Sequence, residues 1–338
     1  MSTRISPFIL FAAIAVLMLP AVADARRLLT DGLAGTSGST IGPDGALYVT
    51  EGLTGKVIRV DPWTGDKSDY GTNLPPGGEL LAGAGGPVDV AFIDGVAYVL
   101  VNLVNGCFGG PDAVGVYRME APDSFSLLAD LGSWSASNPP VGFPYFLPCG
   151  VPYSLESFRG GLLVTDGHHN RILSVSMAGD ISEFETFGNI VPTGLEVHGK
   201  TVYMAEAGPI PHEPENGSIV AIDANSHAVS AVASGAPLLV DVELGLGQTL
   251  YGLAQGEWCP PGGTPPDCGK FDGDPAEPNG GSLVEVNADG SFTAVASGLN
   301  LPTSMEFIGN SAFIVNLLGE IWVVDEVSRP PFGKKKRR

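Results

Sequence analysis

Six carboxylates recur at two offsets of a repeated motif in this 338-residue chain: Asp89 and Asp241 at the first offset, Glu156, Glu196, Glu243 and Glu306 two residues further on. The flanking positions are apolar, as in Val90 and Phe92, Leu195 and Val197, or Met305 and Phe307. Alternation of that kind is the signature of a strand with two unlike faces, so the acids are expected to share one face and one enclosed space. Like charges gathered there raise one another's pKa unless water or a cation intervenes. With no Cys nearby and no His in register, the oxygen-rich set suits Ca²⁺ better than zinc, and all six acids are its expected ligands. Solvated acids lining a water-filled channel are the plainer alternative.

Other residues able to do chemistry are fewer. His168-His169 offers imidazoles for activating water, or an ordinary polar turn before Asn170. His212 and Glu213 stand in a loop and carry the same two readings. No GxSxG or Walker-type motif occurs. The sequon at Asn216-Gly217-Ser218 acquires meaning only in a glycosylating host.

The elements that must position the acids follow from a repeat. Residues 160–184, GGLLVTDGHHNRILSVSMAGDISEF, read as short apolar strands separated by Gly/Asn/Asp turns. The slot in the second strand recurs as Tyr48, Tyr98, Leu163, Tyr203, Tyr251 and Phe313. Eleven residues upstream stand Pro87, Pro152, Pro192 and Pro302, with Thr36 and Leu239 at the matching position of the other two. Meanders of about 40–50 residues in tandem predict an all-β, six-bladed propeller. Gly 47 and Pro 28 against 16% charged residues agree with many tight turns.

In chain order, residues 1–23 read as a signal peptide, with Arg4, an apolar run and Ala21-Val22-Ala23. The propeller is expected over residues 26–328, and 329–338 as a basic disordered tail ending KKKRR. Residues 27–33, RLLTDGL, resemble residues 293–299, TAVASGL, an outermost strand, so the N-terminal strand is expected to complete the last blade. Sizeable insertions, at 102–113, 132–152, 208–217 and 255–281, all fall where second-to-third-strand loops and blade links meet on one face of a propeller. Cys107 and Cys149 lie in two of them, and Cys259 and Cys268 in another. An even cysteine count in an exported chain predicts Cys107–Cys149 and Cys259–Cys268 disulfides rather than a zinc site.

A formal net charge of −20 excludes nucleic acid as a partner, and no run beyond the leader approaches a bilayer span. The expected protein is a secreted or periplasmic monomer.

The segments PTGLEVHGKTVYMAEAGPIP, NGSIVAID, VDVELGLGQTLYGLAQG and NGGSLVEVNADGSFTAVASGLNLPTSMEF, with the closing GEIWVVDEV, resemble the ScyD/ScyE family of secreted propellers. LLVTDGHHNRILSV is similar to the broader NHL-type repeat. The resemblance implies a six-bladed, exported propeller and brings no agreed reaction. Gluconolactonase-like hydrolases share the blade count, but their Pro-Asn-Gly pattern is replaced here by Pro192-Thr193-Gly194. The His base and basic clamp of quinone-dependent sugar dehydrogenases have no counterpart that can be placed. The expectation is therefore a binding or assembly module for an extracytoplasmic protein, polymer or small molecule. The alternative is a divalent-metal-dependent lactone or ester hydrolase with its site at the channel.

Overall fold

The computed structural model describes residues 26–77, 85–143, 145, 147–210, 213, 216–258 and 274–327. The expected signal peptide, the basic tail, His212 and the Cys259–Cys268 bridge lie outside the described residues. Six four-stranded antiparallel sheets form, each strand hydrogen-bonded to the next in sequence except at the ring's seam. There Arg26–Thr30 pairs with Ile321–Val324, in the register Arg26 to Val324 and Thr30 to Ile321. The sixth sheet thus takes its outermost strand from the start of the chain.

No single sheet could bury both its faces, and the core is accordingly divided among the seams. Each of the six seams holds its own hydrophobic cluster. The repeated second-strand residue belongs to the seam with the following blade every time: Tyr48 packs with Val90, Tyr98 with Leu155, Leu163 with Leu195, Tyr203 with Val242, Tyr251 with Met305, and Phe313 with Leu47. An aromatic or long aliphatic side chain fills the wedge between two twisted sheets, which is why the slot tolerates Leu163.

The innermost strands are Thr36–Ile41, Gly86–Ile93, Pro152–Phe158, Pro192–His198, Leu239–Leu244 and Pro302–Ile308. In each, the register against the second strand shifts within the first few residues, as between Pro152 and Leu155. A bulge of this kind leaves an extra residue unpaired and re-aims side chains. Here it brings the residue before four of the six Asp/Ser/Gly positions to the channel as well, so that Ser37, Tyr153, Val240 and Thr303 join the lining.

Candidate functional site

The channel is built in two levels. At the upper one, nearer the insertion-bearing face, Asp89 Oδ1 accepts the Val90 amide at 2.9 Å and its Oδ2 accepts the Leu155 amide of the next blade at 2.7 Å. Asp241 repeats the arrangement three blades on, with Val242 at 2.9 Å and Met305 at 2.7 Å. Ser304 and Ser39 join hydroxyls at 2.7 Å across the seam between the last and first blades. Gly38 and Gly194 stand one blade before the two aspartates, and a Cβ on either would come to 2.3 or 2.4 Å from an aspartate oxygen. The upper ring therefore reads Gly38, Asp89, Ser154 and again Gly194, Asp241, Ser304. It is a pseudo-twofold set of inter-blade latches.

Burial pushes Asp89 up to about 7, with the amide hydrogen bonds pulling the other way. Asp241 rises to about 8 through burial, helped by the Asp89 and Glu196 charges. The lower level holds Thr40, Ala91, Glu156, Glu196, Glu243 and Glu306. Burial, followed by the Glu196 and Asp89 charges, lifts Glu156 to about 8. Burial also holds Glu243 and Glu306 well above the ordinary carboxylate range; Glu306 and Glu196 add to the first effect, Asp241 and Glu156 to the second. Glu196 rises through burial as well, moderated by a hydrogen bond with Glu243 and by the His198 charge. A carboxyl pair joined in that way needs a proton between its members.

The space these side chains enclose is a cavity of about 30 Å³, room for roughly two waters. Tyr153 crosses it: its hydroxyl donates to the Thr303 carbonyl at 3.4 Å, on the blade three steps away. Its phenol is pushed upward by burial and by the Asp241 and Asp89 charges. Among the described residues, no group of three or more His, Cys, Asp or Glu side chains is placed to hold one metal ion. Calcium takes six to eight oxygens at about 2.3–2.6 Å. Asp89 and Asp241 already serve two amides each and burial disfavours the charged form of their neighbours, so no calcium centre is preformed among the six acids expected as ligands.

The histidine pair has a different setting. His169 is 1% exposed. Its Nε2 lies 2.9 Å from the Leu147 carbonyl, and its Nδ1 is 3.0 Å from Arg171 and 3.2 Å from Asp166. With both ring nitrogens engaged, His169 presents no face to a substrate. Arg171 extends the cluster to the Asn138 carbonyl at 2.8 Å, Ser135 Oγ at 3.0 Å and Glu183 at 3.1 Å, under the Trp134 ring. Burial opposes ionisation of Asp166, but His169, Arg171 and the Val151 amide outweigh it and hold its carboxyl below the usual range. His168 is partly exposed beside it. The cluster fastens the blade-two-to-three link onto blade three.

Cys107 and Cys149 form a disulfide with Cα atoms 5.7 Å apart. Glu213 is exposed and accepts from Asn216 at 2.6 Å. Thr193, where the hydrolase pattern has Asn, donates its hydroxyl to the Leu239 carbonyl at 2.9 Å and thereby ties blade four to blade five. Sequence reading missed Tyr153 and the Asp166–Arg171 cluster. The latter carried one signal, a lone Arg opening the apolar strand RILSV.

No family model matches the chain, and no curated protein matches it. Solved structures match in fold. A gluconolactonase from Xanthomonas campestris aligns over 88% of this chain and 88% of its own at 12% identity and TM-score 0.58. The calcium-binding protein regucalcin from Agrobacterium tumefaciens aligns over 89% and 93% at 13% identity and TM-score 0.57. Virginiamycin B lyase from Staphylococcus aureus aligns over 88% and 97% at 14% identity and TM-score 0.52. The class is thus a six-bladed β-propeller, the fold that these solved structures share with this chain. At such identities the likeness is one of fold.

Proposed function

We propose that this chain is an extracytoplasmic binding or assembly module that takes a protein, polymer or small-molecule partner on its insertion-bearing face. The observation carrying this reading is where extra rigid links occur: the Cys107–Cys149 bridge and the Asp166–His169–Arg171 cluster both fasten loops of that face. A disulfide suits an oxidising compartment, in keeping with residues 1–23 as an export signal. The ScyD/ScyE likeness of blades four to six supports the same assignment. The channel, by contrast, has too little room for a sugar lactone.

A second reading, a metal-dependent lactone or ester hydrolase using Ca²⁺, draws on the four glutamates of the lower level and on the gluconolactonase and regucalcin folds. The two readings part in one experiment. The purified chain, tested on lactones and aryl esters with and without Ca²⁺, is expected to show no turnover and no calcium heat by calorimetry. Turnover that chelator removes and Glu243→Gln abolishes would replace the first reading with the second.

A further inference from the structure

Where one blade follows another, the residue two places ahead of its outermost strand touches the outermost strand of the blade before. Those strands are Arg26–Thr30, Lys67–Gly71, Ser124–Asp130, Ile181–Thr186, Val229–Ala236 and Phe292–Leu299. Gly65 lies so near blade six that a Cβ there would stand 2.4 Å from the Leu29 carbonyl, and Gly179 repeats this at 2.3 Å from the Leu128 carbonyl. The Pro122 carbonyl accepts the Thr72 amide at 2.8 Å, just past the blade-one strand. His227 Nδ1 is 3.4 Å from Glu185, and the Gly290 carbonyl accepts the Ser234 amide at 3.2 Å. Five seams are thus closed at one register position. At the sixth, between blades five and six, that position is Asp24, because the outermost strand begins at Arg26.

We infer that the edge of blade five at Ser297 is the docking site of the segment just ahead of Arg26, that the Asp24 carbonyl accepts the Ser297 amide there, and that the export leader is therefore removed after Ala23 and not after Ala25. The inference rests on the export reading above. Blades four and five share the outer sequence AVASG, at 231–235 and 294–298. Their registers shift at matching places, Gly217/Ser218 with Ile219/Val220 and Gly281/Ser282 with Leu283/Val284. Ser297 accordingly aims its amide as Ser234 does, outward from the sheet. Ser234 has the Gly290 carbonyl; among the described residues the Ser297 amide makes no hydrogen bond across the seam. Chain continuity names the occupant. Arg26 already reaches this edge, its guanidinium 3.8 Å from where a Cβ on Gly298 would stand, so the residues preceding it need no linker to arrive. An edge amide left open is also a template for a foreign strand, which gives the contact a use beyond its own hydrogen bond. Two triplets, Ala21-Val22-Ala23 and Ala23-Asp24-Ala25, offer the small residues that a signal peptidase reads. Hydrolysis adds one water across the Ala23–Asp24 bond, frees Asp24 as the α-amino end and keeps the acceptor; hydrolysis after Ala25 discards it.

The test uses chains running to Arg338 and beginning at Asp24, Ala25 or Arg26, each released from a fusion that leaves no extra residue, with amide exchange followed at single residues. Ser297 should exchange about 10-fold more slowly in the chain starting at Asp24 than in the other two. Ser234 keeps its protection in all three and reports that the propeller is folded. Asp24→Ala retains the carbonyl and should leave Ser297 protected; loss of protection there would overturn the backbone contact. Equal exchange of Ser297 in the three chains overturns the docking outright. Protection that survives the start at Arg26 and disappears when residues 328–338 are removed gives the edge to the basic tail, and the inference fails. In the second arm the full 338-residue chain is exported by a bacterial host and its first residue is sequenced. A start at Asp24 is expected, and a start at Arg26 overturns the processing site. A chain left uncut in the cytoplasm overturns the export reading, while the exchange result decides the seam by itself.

Discussion

Blades one to three and blades four to six are alike at one level of the channel and unlike two residues below it. Gly38, Asp89 and Ser154 answer to Gly194, Asp241 and Ser304, and the two aspartates make the same pair of amide hydrogen bonds at the same lengths. Beneath them, Thr40, Ala91 and Glu156 face Glu196, Glu243 and Glu306. The upper level is fixed by what adjoining strands need, namely an acceptor for an amide and room for it. No such need acts on the lower level. Three glutamates on one wall against one on the other is a property of this chain, and burial raises the pKa of all four.

The halves are equivalent only while the ring is shut. Removal of residues 26–30 should leave Ile321–Val324 as an open edge and lower the melting temperature by on the order of 10 °C, or send the protein to aggregates. An unchanged midpoint would mean that blade six is stable with three strands. Among the described residues the disulfide belongs to the first half. Cys107→Ala with Cys149→Ala opens a loop of sequence separation 42 and should cost at most about 4 kcal/mol in chemical denaturation.

Asp89→Ala and Asp241→Ala each strand two buried amides, and each should cost about 3 kcal/mol. Costs that agree within about 1 kcal/mol would confirm the upper ring's twofold character; a large inequality would break it.

The two levels together predict a pH effect whose sign is fixed. Asp89, Asp241 and Glu156 have folded-state values raised to about 7, 8 and 8, so the folded chain holds more protons than the unfolded one between about pH 4 and 8. Their contribution is complete below about pH 4 and is lost as pH rises through that window, by about 1.4 kcal/mol per unit for each extra proton held. Thermal midpoints should therefore fall from pH 5 to pH 8.5, and Glu196→Gln, Glu243→Gln and Glu306→Gln combined should flatten the slope. A midpoint that climbs over this range would refute the protonated channel.

The repeat made most of this fold legible. The Tyr48-to-Phe313 slot marks every seam because wedge filling is a local demand repeated at each blade, and the Glu register was readable because strand alternation is local too. The bulge was not. It depends on pairing between two strands, and it turned Tyr153 into the channel's crossbar. Nor could alternation show that Asp89 serves the Leu155 amide, 66 positions away. His169 read as a turn residue because the segment that buries it comes from the long link preceding blade three.

The seam between Arg26–Thr30 and Ile321–Val324 also sets an order of events. Arg27 finds its partner Asp325 across 298 positions of sequence, so the first strand made is the last to be placed. At roughly 5–20 residues per second of synthesis, it waits many seconds for a docking edge. Contacts of such separation carry the greatest loop-closure cost and slow the final step. Ring closure consequently acts as a check on length: a nascent chain cut short anywhere before residue 321 has no place for its own beginning.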